Sequence, residues 1–159
     1  MNIKHIIEKI ILELSQKNQT ISFAESCTGG RIASAFTSVS GSSKILNGSC
    51  ITYSNEVKHK WLGVSKKTLD NYGAVSEECV YEMLDGIKSM ASSDYALAVS
   101  GIAGPTGGTE FKPVGTVYIG VLTPTNKIVY KSHFEGNREE IQRKSTTFAI
   151  EELAKYLKK

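Results

Sequence analysis

Two glycine-rich segments, each closing a run of residues with strand character, constrain the fold of this chain more than any other feature. The first is Ala24-Glu25-Ser26-Cys27-Thr28-Gly29-Gly30; the second runs from Ser100 through Gly101, Gly104, Gly107 and Gly108 to Thr109. Glycine lets the backbone turn sharply and come close to another group. Both segments also carry hydroxyls. Two strand ends are therefore expected to present small polar groups and free N–H groups to one cleft, as α/β proteins do when they build a ligand site.

The remaining residues predict the layers around those strands. Ile3, Ile6, Ile7, Ile10, Ile11 and Leu14 recur at helical spacing, which predicts a helix over 2–17. A short β-rich run covers 20–24, and a helix starting near Gly30 buries Ile32, Ala33, Ala35, Phe36 and Val39 until Gly41-Ser42-Ser43 breaks it. Residues 47–53 read as a strand. A helical stretch follows with Val57, Trp61 and Leu62 on one face, and Gly63 closes it. Ser76 before Glu77 and Glu78 marks a further helix start, with Val80, Met83, Leu84 and Ile87 inward. Residues 95–100 form a compact apolar strand, and 114–122 with 127–134 make a hairpin across Pro124-Thr125-Asn126. The last helix spans 138–157. This order predicts a three-layer α/β/α fold with a mixed, mostly parallel sheet that includes one antiparallel hairpin, in a single domain over 1–159.

Composition excludes several partners. A chain of 159 residues, 40% hydrophobic and 22% charged, fits one soluble domain. The net charge of +3 is spread along the chain, with no basic stripe interleaved with aromatics, so nucleic acid is not an expected partner. Lys158-Lys159 reads as a solvated helix end. Cys27, Cys50 and Cys79 lie too far apart for a C-x-x-C site, and free thiols fit a reducing cytoplasm. The first 17 residues lack a signal-peptide core and no apolar run spans a bilayer, so a cytoplasmic location without membrane contact is expected.

Familiar catalytic motifs are missing. Neither glycine segment matches G-x-x-x-x-G-K-[ST] or G-x-G-x-x-G; there is no H-E-x-x-H and no G-x-S-x-G, and His5, His59 and His133 lack metal-ligand spacing. Ser26 remains. It follows a strand and precedes Gly29-Gly30 and a helix, a setting that exposes a hydroxyl and aims turn N–H groups at an oxyanion or phosphate. A serine nucleophile needs a base. Without histidine, a lysine is the reasonable candidate, but only if desolvation lowers its pKa enough to leave it neutral.

Five motifs in order, Ala24–Gly30, Tyr53-Ser54-Asn55-Glu56-Val57-Lys58, Gly73-Ala74-Val75-Ser76, Ser100–Pro105 and Lys112–Val117, resemble the CinA C-terminal domain family across nearly the whole chain. The resemblance implies hydrolysis of the carboxamide of nicotinamide mononucleotide to nicotinate mononucleotide and ammonia. It also implies an α/β/α fold and a homodimer, without metal or organic cofactor. By motif, Ser26 would be the nucleophile, Lys58 its general base, and Tyr53 a group that orients or assists them. Ser100 would contact substrate or the serine. The turns carrying Thr28, Gly29, Gly30, Gly101 and Gly104 would hold phosphate and oxyanion. Arg143, with Arg138 as second choice, would bind the phosphate.

Plainer roles stand beside these. Ser26 read alone caps the following helix, Lys58 read alone is a solvated lysine, and Tyr53 read alone is a core aromatic. Glu25, counted among the substrate-side residues, also reads as a group that holds the turn by accepting backbone N–H bonds. Cys27 and Trp61 read as packing residues, Trp61 in the core or an interface. The 104–108 stretch reads equally as a flexible loop or a substrate lid. A non-catalytic nucleotide-binding or protein-interaction module, related to competence and DNA-damage proteins, is the rival to an amidase.

Overall fold

The computed structural model describes residues 2–157, so Lys158-Lys159 lies outside the described residues. Six helices and five strands follow one another: α1 (Ile3–Gln16), β1 (Ile21–Glu25), α2 (Arg31–Thr37), β2 (Leu46–Ile51), α3 (Asn55–Leu62), α4 (Lys66–Tyr72), α5 (Glu77–Ala91), β3 (Tyr95–Gly101), β4 (Thr116–Leu122), β5 (Lys127–His133) and α6 (Arg138–Leu157). Local chemistry sets many of these bounds. Asn2, Ser54, Ser65 and Ser76 each accept a backbone N–H at the start of α1, α3, α4 and α5. Gly63 closes α3 in the left-handed conformation that a β-carbon disfavours.

The sheet order is β2-β1-β3-β4-β5, with β2, β1 and β3 parallel and β3, β4 and β5 antiparallel. The antiparallel part is wider than the hairpin alone, because β4 also runs against β3. From β1 the chain crosses to β2 on one side and later to β3 on the other. That reversal leaves a crevice beyond the carboxyl ends of β1 and β3, where Ser26 and Ser100 stand.

The two sheet faces differ in side-chain size. Ile21, Phe23, Leu97, Val99, Val117, Ile119 and Val121 pack under α1, α2 and α6. The opposite face shows Ala24, Ala96 and Ala98 to α5. A Cβ on Gly120 would lie 2.7 Å from Leu84 and 2.8 Å from Val80, so small residues let α5 sit close to the strands. α5 in turn seats α3: a Cβ on Gly86 would lie 2.0 Å from the Leu62 carbonyl oxygen. This contact turns Lys58 and Leu62 inward. Val57 and Trp61, expected on the inner face, are displaced from it, and Trp61 is half exposed. α4 was not foreseen, since its seven residues carry no buried apolar side chain to give a periodic signal.

Candidate active site

The turn after β1 is built from its own residues. The Gly29 N–H donates to the Ser26 carbonyl at 3.0 Å, and Gly29 and Gly30 take φ values of 59° and 99°. Beneath it the fully buried Glu25 carboxylate accepts from the Thr28 hydroxyl at 2.7 Å and from the Ile32 and Ala33 N–H groups at 2.9 and 3.1 Å. A carboxylate on the preceding strand thus caps α2 from below. The donors at the start of α2 are taken, so the phosphate expected at this turn does not find them free. Glu25, Thr28, Gly29 and Gly30 shape the turn and do not line the cavity above it.

Lys58 is the unusual residue. It is 1% exposed on α3, and no ion pair among the described residues includes it. Its Nζ lies 3.1 Å from Ser26 Oγ and donates to the Tyr53 carbonyl at 3.1 Å. Burial lowers its pKa from the ordinary 10.5, because the charged amine loses water without gaining a carboxylate. The Ser54 cap starts α3 so that Lys58, four residues on, points back under the Ser26 hydroxyl. A serine and a lysine of lowered basicity in contact can exchange a proton.

These groups open into a cavity of about 260 Å³ lined by Ser26, Cys27, Tyr53, Lys58, Ser100, Gly101, Gly104 and Arg138, among others. Ser100 donates to the Ala74 carbonyl at 2.8 Å, which ties the β3 end to the 74–75 wall. Tyr53 keeps its ring largely exposed; its carbonyl holds Lys58 and its hydroxyl accepts from Arg138 Nη2 at 2.9 Å. Arg138 Nη1 donates to the Gly104 carbonyl at 2.6 Å. No carboxylate pairs with Arg138 among the described residues, so its positive charge faces the cavity uncompensated. Arg143 is exposed and does not line the cavity. The two arginines are five residues apart, and a helix turns by more than a full circle over that interval.

The buried Cys27 thiol is pushed up to about 12, chiefly by loss of water, so it is no thiolate at neutral pH. None of the three histidines lines the cavity, and no cluster of metal-ligating side chains occurs among the described residues. No described helix is long and apolar enough to cross a membrane. Sequence reasoning passed over Ala74 and Val75 as wall residues, Gly86 as the seat of α3, and Gln142, whose Nε2 donates to the Cys27 carbonyl. Ala74 and Val75 stood in one of the five motifs without a role, Gly86 left a signal as a glycine within a helix, and Gln142 left none.

The fold and cleft define a three-layer α/β protein with a polar site at a topological switch point. The CinA C-terminal domain model matches residues 3–157, and the chain belongs to that family. It is 50% identical over 145 residues to a CinA-like protein of Fervidobacterium nodosum, covering 91% of this chain and 36% of the relative. A putative competence-damage inducible protein of Thermoanaerobacter pseudethanolicus is 45% identical over 152 residues, covering 95% of this chain and 37% of that protein. The chain thus spans about a third of the length of the curated relatives it matches. Competence damage-inducible protein A of Klebsiella pneumoniae superposes with a TM-score of 0.95 at 33% identity, covering 99% and 98% of the two chains. The competence/damage inducible protein of Agrobacterium tumefaciens gives 0.94 at 35% identity, covering 99% and 96%.

Proposed function

We propose that this protein is an amidohydrolase that converts nicotinamide mononucleotide to nicotinate mononucleotide and ammonia. The observation that carries the reading is the buried Lys58 amine, 3.1 Å from Ser26 Oγ, with its basicity lowered by loss of water. Lys58 takes the Ser26 proton as Oγ bonds to the carboxamide carbon. The C–N bond then breaks, and ammonia leaves with the proton from Lys58. Water adds to the acyl ester, giving a proton to Lys58; the C–Oγ bond breaks, and that proton returns to Ser26. The product is the carboxylic acid, which ionises. Atoms and charge balance without a metal or organic cofactor.

Arg138 supports a nucleotide substrate. It is a cation on the cavity wall without an acidic partner among the described residues, held by Tyr53 and Gly104, and suited to a phosphate. A homodimer belongs to the same reading, and light scattering on the purified protein tests it.

The deciding experiment is ammonia release from nicotinamide mononucleotide by the wild type and by Ser26→Ala, with nucleotide affinity measured for both. Release by the wild type alone, with affinity retained by the variant, is expected. Binding without release by either protein would leave a nucleotide-binding module and overturn the amidase.

A further inference from the structure

Gln142 is buried one turn beyond Arg138 on α6, among the apolar inward residues Ile141, Ala149, Ile150 and Leu153. A buried amide is costly unless it is bonded. Its Nε2 donates to the Cys27 carbonyl at 3.0 Å, across 115 residues of chain. The turn below is held at two more points. Ser26 N–H donates to the Val99 carbonyl, and Gly29 N–H donates to the Ser26 carbonyl, both at 3.0 Å.

Those bonds decide where one particular donor points. In a trans peptide the N–H lies opposite the carbonyl, so fixing the Ser26 carbonyl fixes the Cys27 N–H. Fixing the Cys27 carbonyl as well removes the remaining freedom of that residue. The Cys27 N–H reaches no carbonyl among the described residues and meets only the weakly accepting sulfur of its own side chain, and Cys27 lines the cavity beside Ser26. A held donor whose one partner is a weak sulfur acceptor, next to a nucleophile, suits the negative charge that forms when the nucleophile adds to a carbonyl.

We propose that the Cys27 N–H is the oxyanion donor of this site and that Gln142 is its positioning residue, acting through the Cys27 carbonyl. The inference rests on the amidase reading. As the Ser26 Oγ–carbon bond forms, the carboxamide oxygen takes up the carbonyl electron pair and accepts from Cys27 N–H. As the C–N bond breaks, the pair returns to the carbonyl and ammonia leaves with the Lys58 proton.

Gln142→Met keeps the length and apolar stem of the side chain and deletes the donor. The expected result is a fall in kcat of about 10- to 100-fold with KM changed by no more than about twofold, the mark of an interaction made only in the transition state. The aldehyde analogue of the nucleotide, which adds Ser26 to form a hemiacetal, should lose affinity by the same factor, while nicotinate mononucleotide binds as before. Unchanged kcat, or a loss confined to KM, would overturn the assignment. Should Gln142→Met fail to fold, Cys27→Pro removes the N–H directly at a turn position that accepts proline. Its expected loss is about 10²- to 10³-fold in kcat, and wild-type turnover would sink the proposal. Ser26→Ala separates the two layers: an active Ser26→Ala removes Ser26 as the nucleophile on which the reading rests, whereas an inactive one beside a fully active Gln142→Met removes only the oxyanion assignment.

Discussion

The two glycine segments look alike in the sequence and behave as opposites in the structure. The turn after β1 is closed: Glu25 beneath it engages the Thr28 hydroxyl and two N–H groups of α2, and carbonyls engage the N–H groups of Gly29 and Arg31. The loop after β3 is open. From Pro105 to Phe111 its residues are exposed, and Gly104 and Gly107 help to wall the cavity. The difference is one buried carboxylate. Placed at the end of β1, it takes the donors that a phosphate would otherwise use and makes the turn rigid enough to hold a nucleophile. The second segment carries no such group and serves as a wall.

Four substitutions test that contrast. Lys58→Met should lower turnover by at least about 10³-fold, since no other described side chain is bonded to Ser26 Oγ to take its proton. The same change should raise the melting temperature at neutral pH. A lysine whose folded pKa is lowered holds its full contribution to stability above the unfolded value of 10.5 and loses it as pH falls through the lowered value. Melting temperatures of the two proteins should therefore converge as pH rises toward 10.5, while wild-type turnover rises with pH through the lowered value. A variant less stable than the wild type at every pH would argue that Lys58 is buried as a paired charge.

Glu25→Ala breaks the closed turn. It strands the Ile32 and Ala33 N–H groups and the Thr28 hydroxyl in a dry layer, and should cost about 3–5 kcal/mol of folding stability in urea titration. Arg138→Met acts on the open side. It should weaken nucleotide affinity about 10- to 100-fold by calorimetry, the scale of a charge-assisted bond. Its melting temperature should hardly move, because the side chain is exposed. Phe111→Ser, at a side chain 84% exposed on the open loop, should shift stability by less than about 0.5 kcal/mol. A larger shift in the thermal melt would show that the loop packs against something.

Legibility in the sequence follows the range of the forces involved. Ser76 with its two glutamates announced α5, and the turn residues at 124–126 announced the β4–β5 hairpin. The first glycine segment singled out Ser26 and the family resemblance singled out Lys58, and the structure brings the two within 3.1 Å. Periodicity misled at α3, where the face with Trp61 and Val57 looked more apolar than the face with Lys58. The close approach of Gly86 to Leu62 decided which side turned in. Arg143 ranked ahead of Arg138, whereas Arg138 lines the cavity, because spacing does not say which side of α6 faces the cleft.

By itself, the sequence determined every strand and every helix but α4, the bounds at Gly63 and Ser76, and the chemistry on offer, since caps, turns and apolar periods depend on residues a few positions apart. Only the tertiary structure decided which donors were already spent and which charge had lost its water. Glu25 fills the start of α2, Gln142 grips Cys27 from 115 residues away, and Lys58 sits dry beside Ser26. Desolvation depends on everything packed around a group, and none of that packing is local in the chain.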